Sequence, residues 1–196
     1  MMKKRTQRRV AEVAARLMAE GTESEYLHAK ETALSMLGLS NQSRMPSNRI
    51  VKEMISRITR SELGDDEVDR RLQLMRQIAQ ELLILLDDCD PFLIGSTLTG
   101  EIRETSDIDL HAYCDDFEEL KSRLAAYGYD DVEEDLVENL KGRFVHLRWH
   151  EDQFPVEITI YPWSMRAVVP ISSVTGQPMR RADLRAVQRL LARDSA

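Results

Sequence analysis

An α+β fold, with an all-helical N-terminal module ahead of a small mixed β-sheet and its flanking helices, is predicted by three features of this sequence. Apolar residues recur at helical intervals from Val10 to Leu86. After Pro91 the pattern changes to short apolar runs bounded by Gly, Ser and Asp, and two later segments alternate with period two. With 42% apolar and 31% charged residues, a chain of 196 residues can bury a core and keep a solvated surface.

The elements follow in order. Val10, Val13, Ala14, Leu17 and Met18 lie on one helical stripe that stops before Gly21. Thr22 and Glu25 have capping-box spacing and lead into Tyr26, Ala29, Ala33 and Leu37, with Gly38 closing the second helix. Ser40 to Ser47 is expected as a loop, and Ser47 or Asn48 caps a third helix through Ile50, Val51, Met54, Ile55 and Ile58. Asp65 or Asp66 caps a longer fourth, with a stripe from Val68 to Leu86 and an end near Asp90-Pro91. Phe92 to Ile94 and Ile108 to Tyr113 are expected as strands, and Phe117, Leu120, Leu124 and Tyr127 as one helical face. Asp130 to Leu140 fits either a helix or an edge strand. Arg143 to Trp149 and Phe154 to Tyr161 are expected to form an antiparallel hairpin across His150 to Gln153, and Asp183 to Arg193 a closing helix. The expected division is 1–64 for the helical module and 65–196 for the rest.

Charge separates the two parts. Residues 1–60 carry 12 Lys+Arg against 6 Asp+Glu, while the remainder brings the chain to a net −7. A basic module beside an acidic one fits a nucleic-acid surface, offered by Lys3, Lys4, Arg5, Arg8 and Arg9, or equally two halves that attract each other. No stretch reaches the length of apolar sequence that a membrane-spanning helix needs. The basic start, interrupted by Glu12, Arg16 and Glu20, is read as mature protein. Cys89 and Cys114 lack zinc-site spacing and are expected as reduced thiols of a cytoplasmic protein.

The chemistry concentrates in Gly95 to Leu110. In a strand, Asp107 and Asp109 face the same side, about 6 to 7 Å apart at Cα. Two such carboxylates repel each other unless a cation compensates. Mg²⁺ suits them, because it takes oxygen ligands from one or two carboxylates and completes its shell with water and phosphate oxygens. Gly95 permits close backbone approach to a ligand, and Ser96 offers a hydroxyl and an N–H.

Gly95-Ser96, ten intervening residues and then Asp107-Ile108-Asp109-Leu110 resembles the nucleotidyltransferase signature of the DNA polymerase beta superfamily, which includes minimal bacterial and aminoglycoside-modifying members. The resemblance covers roughly Phe92 to Tyr161. It implies a nucleotidyltransferase core that binds Mg²⁺ or Mn²⁺ and a nucleoside triphosphate, ATP first among them. It also implies transfer of a nucleoside monophosphate to an unidentified hydroxyl acceptor. Asp107 and Asp109 would be the metal carboxylates and Glu157, in the alternating run Val156 to Ile160, the third. The family more often has aspartate there, and Asp152 is the fallback. Gly95, Ser96 and Arg103 are the candidate phosphate contacts. Two other readings stay open: a binding module that keeps the fold and partners another protein, as an antitoxin does, and an RNA-directed enzyme.

Overall fold

The computed structural model describes residues 2–40, 45–129, 131–139, 142–172 and 174–194. The chain divides into two compact units. One comprises 1–68 with 101–105 and 172–176; the other comprises 69–100, 106–171 and 177–196.

The first unit is helical: α1 (Met2–Ala19), α2 (Tyr26–Met36) and α3 (Asn48–Leu63), with α1 packed on both others. Alanines at the contacts (Ala11, Ala14, Ala15, Ala29, Ala33) let the helices approach closely, and Met18, Leu34, Val51 and Ile55 fill the remaining core. The helix ends follow from local chemistry. Gly38 (φ 63°) closes α2 in a Schellman arrangement, with Leu39 N–H donating to Leu34 O and Gly38 N–H to Ser35 O, each 3.0 Å. Ser47 caps α3, its hydroxyl accepting from Ile50 N–H. The capping box expected at Thr22 and Glu25 does not form. The first helical bond of α2 runs from Ala29 N–H to Glu25 O, so Glu25 occupies the N-cap position itself and makes no side-chain cap. Glu23 instead accepts from the Thr32 hydroxyl at 2.7 Å. Within this unit Lys52 pairs with Glu101 at 2.8 Å. Residues 41–44 of the loop expected over Ser40 to Ser47 lie outside the described residues, as do the side chains of Lys3 and Lys4.

The second unit is α+β, as expected. It holds most of α4 (Asp65–Leu85), a 3₁₀ turn at Asp87–Cys89, β1 (Phe92–Leu93), α5 (Gly95–Thr99), β2 (Ile108–Tyr113), α6 (Phe117–Ala126), β3 (Glu133–Asn139), β4 (Gly142–Glu151), β5 (Phe154–Tyr161) and α7 (Leu184–Asp194). The sheet runs β1-β2-β5-β4-β3, with β2 and β5 parallel and the other neighbours antiparallel. The ambiguous acidic segment is therefore a strand, at the sheet edge; its ends Asp130 and Leu140 lie outside the described residues. An edge suits it, since charges keep an exposed strand edge from pairing with another chain. The β4–β5 connection is shorter than expected. Only Asp152 and Gln153 turn the chain, with Asp152 in the left-handed conformation (φ 52°) that a short polar side chain tolerates. The fourth helix also ends earlier than expected, at Leu85, and the 3₁₀ turn completes the stripe with buried Leu86 and Cys89.

Period two sorts the sheet into two faces. Ile108, Leu110, Ala112, Val156, Ile158, Ile160, Val145 and Leu147 are buried on one. Asp109, His111, Glu157, Thr159, His146 and Arg148 occupy the other. Buried residues of α4 (Met75, Ala79, Leu82, Leu83), α6 (Leu120, Leu124) and α7 (Val187) complete the core. Caps start α6 and α7: Asp116 accepts from Glu119 N–H and Asp183 from Ala186 N–H. Among the described residues no helix is long and apolar enough to cross a membrane.

Arg76 joins three helices. It is 5% exposed; its guanidinium donates to the Thr97 and Leu98 carbonyls of α5 (3.1 and 3.3 Å) and to Asp194 of α7 at 2.7 Å. Truncation leaves two buried carbonyls and a carboxylate without their donor. Arg76→Ala is expected to lower unfolding stability by roughly 2 kcal/mol, read as a fall in the urea midpoint at unchanged slope; an unchanged midpoint would remove Arg76 from the scaffold of this site.

Candidate functional site

The site is built on β1, α5 and β2, three elements close together in the chain. Ile94 N–H donates to Asp109 O at 2.9 Å, continuing the β1–β2 pairing. The chain then turns at Gly95 with φ 70°, a left-handed conformation that side chains other than glycine rarely adopt. A Cβ at Gly95 would lie 2.2 Å from Asp109 Oδ2 and 3.1 Å from its Cγ. The Asp109 carboxylate therefore lies against the bare backbone of Gly95, in the space a side chain would fill.

Hydroxyls fix the loop on both sides of α5. Thr97, fully buried, donates to Asp107 O at 3.0 Å, and the Ser96 hydroxyl donates to that of Ser106, which is itself buried, at 3.1 Å. These bonds hold the start of α5 against the residues that immediately precede β2. Gly95 and Ser96 thus lie beside Asp109 and the chain just before β2.

Glu157 joins them from β5. The parallel register sets it directly beside Asp109, and it shares with Asp107 a cavity of about 660 Å³ whose lining includes Arg148, Trp149 and His150. Its carboxylate is already engaged. Arg148, opposite Glu157 on β4, donates through Nε to Oε2 at 2.6 Å, and His146 Nδ1 contacts Oε1 at 2.9 Å. Arg148 also reaches Asp135 on β3 at 3.4 Å. Glu157 is about a quarter exposed and Arg148 more so, so the pair is partly solvated. Among the described residues no three His, Cys, Asp or Glu side chains converge in a way that could hold a metal ion. The donor set that fits Mg²⁺ is the pair Asp107 and Asp109, because this ion accepts two carboxylates and fills its remaining positions with water and phosphate oxygens.

His111 sits between the carboxylate end and the aromatic end of the same face. It is 3% exposed, its ring meets Tyr161 edge-on at 5.0 Å, and its Nδ1 has no hydrogen-bond partner. Burial first, then the Arg181 charge, press its pKa down to about 4; Glu157 opposes and His146 adds to the depression. His111 is neutral at ordinary pH and belongs to the packing of this face. Beyond it, Arg181 donates to the Tyr113 hydroxyl at 2.9 Å and stacks over Phe92.

Arg103 belongs to the helical unit, where its charge lies near Tyr26; burial raises the Tyr26 phenol above its ordinary range, with Arg103 opposing. Asp152 is exposed in the β4–β5 turn. Nothing in the sequence marked Arg148 and His146 as the partners of Glu157. The signal for them is the hairpin register, which depends on the turn length.

No family model matches the chain, and no curated protein matches it at a significant level. Solved structures similar to part of it include the Cid1 poly(U) polymerase with MgGTP bound, at 17% identity and TM-score 0.33 over 46% of this chain. A cytoplasmic RNA terminal U-transferase is similar at 19% and 0.35 over 56%. Cid1 described for its RNA terminal uridylyl transferase activity is similar at 17% and 0.35 over 58%. The chain spans about a third of the length of each: 32%, 35% and 37% respectively. At these scores the likeness carries no argument about activity, and the functional reading rests on the site itself.

Replacing Gly95 tests the contact at the centre of the site. Gly95→Ala must either flip the backbone away from φ 70° or displace the Asp109 carboxylate. The expected outcome is a loss of at least about 1 kcal/mol in denaturant unfolding; wild-type stability in Gly95→Ala would show that Asp109 and Gly95 do not meet.

Proposed function

We propose that this chain is a metal-dependent nucleotidyltransferase that moves a nucleoside monophosphate from a nucleoside triphosphate, ATP first among them, to a hydroxyl acceptor in the cytoplasm. The observation that carries the reading is the Asp109 carboxylate resting on the bare backbone of Gly95, with Asp107 two residues before it. That contact supports reading the Gly-Ser and Asp-x-Asp spacing as one site.

Each residue has a task. Asp107 and Asp109 would hold Mg²⁺ or Mn²⁺, which when bound supplies charge neutralisation at the triphosphate and acidifies a hydroxyl. Gly95 leaves room for the Asp109 carboxylate against the backbone, and the Ser96 hydroxyl, turning from Ser106, would donate to a phosphate oxygen. The acceptor oxygen forms a bond to the α-phosphorus as the bond from that phosphorus to the pyrophosphate oxygen breaks; the acceptor proton leaves to a base. Glu157 is the base or third carboxylate in this scheme once its pair with Arg148 opens. While that pair is closed, Arg148 supplies the positive charge that Glu157 needs on a polar but half-covered face.

The closed pair favours a second reading, a binding module that keeps the fold, partners another protein and turns over slowly or not at all. Arg148 at 2.6 Å from Glu157 is its specific support. Hydroxyl acceptors compatible with the first reading range from a small molecule to a protein or an RNA end.

Thermal unfolding of the wild type and of Asp107→Asn/Asp109→Asn, with each of the four nucleoside triphosphates and with or without Mg²⁺, separates the two readings. A ligand at about 100 times its dissociation constant adds roughly 2.7 kcal/mol, which raises Tm by about 5 to 10 °C in a chain of this size. The enzyme reading expects that rise with at least one triphosphate, only with metal, and its loss in the double variant. No rise with any triphosphate would remove the enzyme reading in favour of the binding module.

A further inference from the structure

The sequence keeps its only two cysteines 25 positions apart, and the fold brings them together. The antiparallel register of β1 and β2 pairs Phe92 with His111 and Leu93 with Leu110. Carried outward three residues, the same register sets Cys89 opposite Cys114. Cys89 ends the 3₁₀ turn, and Asp90, in the left-handed conformation at φ 44°, steers the chain from it into β1. Cys114 directly follows β2 and is fixed there by its N–H bond to Tyr161 O at 3.0 Å. Both thiols line one open cavity of about 340 Å³ with Asp88, Asp116, Arg123 and Trp163. Cys89 Sγ donates to Asp88 Oδ1 at 3.6 Å and Cys114 Sγ to Asp116 O at 3.5 Å, and each thiol shifts the other's titration.

We infer that Cys89 and Cys114 are a thiol-oxidation site that a hydroperoxide converts to an intramolecular disulfide. The roles differ by position. Cys114 is partly exposed to solvent, and Cys89 is 5% exposed. The Cys114 thiol is held below its ordinary range first by its Cys89 neighbour, which outweighs burial and the neighbouring Asp115 and Asp116. Its Cys114 neighbour, then burial and Asp88, push Cys89 well up. The other charges that face the pair, Asp88 and Arg123, are joined in a forked ion pair, with Glu119 beside Arg123. Cys114 is therefore the attacking sulfur and Cys89 the resolving one.

The chemistry balances in two steps. The Cys114 thiolate attacks one peroxide oxygen, the O–O bond breaks, and the departing alkoxide takes a proton to leave as the alcohol or, from hydrogen peroxide, as water. The Cys89 sulfur then attacks the sulfenic sulfur of Cys114, the S–S bond forms, and hydroxide leaves with the Cys89 proton as water. Two electrons pass from the two sulfurs to the peroxide. Among the described residues no third His, Cys, Asp or Glu joins the thiols to make a metal-holding group, so this is a redox pair and not a zinc site. The bond would close a loop around β1, α5 and β2, the segment that carries Gly95, Asp107 and Asp109. The inference stands independently of the nucleotidyltransferase reading.

The test uses the full chain, reduced and then exposed to hydrogen peroxide under native conditions. Expected are the loss of both titratable thiols, a mass lower by two hydrogens, and a Cys89–Cys114 linked peptide that dithiothreitol releases. Tm should rise on oxidation and return on reduction. In Cys89→Ser the oxidation should stop at a sulfenic acid on Cys114 that dimedone traps, while Cys114→Ser should leave Cys89 unreactive. Two persistent thiols in the wild type, irreversible oxidation of Cys114 with Cys89 still free, or disulfides formed only between chains would each overturn the inference.

Discussion

A carboxylate resting on a glycine backbone is the contact from which the rest of the candidate site takes its shape. Asp109 can lie where it does because Gly95 has no side chain and turns at φ 70°. The same two residues are tied through the backbone, since the residue before Gly95 donates to the Asp109 carbonyl. A short helix, a strand edge and a pair of acidic residues are thereby locked into one unit by local chain geometry. Arg76 and Thr97 then fasten that unit from behind, one through carbonyls at the end of α5 and one through the carbonyl of Asp107. A site held by rigid elements on both sides meets the demand for preorganised donors better than one carried on a free loop.

The electrostatics of the polar sheet face follow from this arrangement. Asp109 and Glu157 stand side by side across a parallel pair, an arrangement that costs energy unless positive charge is near. On the Glu157 side that charge is Arg148, assisted by the His146 ring. On the Asp107 and Asp109 side, the proposed function would supply it as a divalent cation. One face therefore carries an internal ion pair beside the aspartates that the proposed function assigns to a metal. Whether Glu157 belongs to the first or the second decides between a working transferase and a fold kept for binding. Further along, the face changes character, with neutral buried His111 followed by Tyr113, Tyr161 and Arg181.

Much of this was legible in the residues because it depends on short-range rules. Period 3.6 from Val10 to Leu86 and period two from Phe154 to Tyr161 both report burial on one face, and the helices and strands are where that burial is. The glycine and aspartate spacing was legible because the β1–α5–β2 turn is local. Register was harder. A four-residue hairpin loop would put His146 opposite Glu157; the two-residue turn at Asp152-Gln153 moves the pairing by two and puts Arg148 there. That shift decides the state of Glu157, and it turns on one left-handed aspartate. The approach of Cys89 to Cys114 was hidden for a related reason, since neither sequence spacing nor periodicity reports which strand ends meet. The acidic stretch from Asp130 was ambiguous because its charge reflects an edge position, which only the strand order reveals.

The most direct measurement of the central claim is anomalous X-ray scattering from crystals grown with Mn²⁺ and a nucleoside triphosphate analogue that cannot be cleaved between its α- and β-phosphates. The account predicts an anomalous peak within coordinating distance of both the Asp107 and Asp109 carboxylates, with the triphosphate extending toward Gly95 and Ser96. A triphosphate bound elsewhere, or Mn²⁺ peaks that avoid both aspartates at saturating metal, would contradict it.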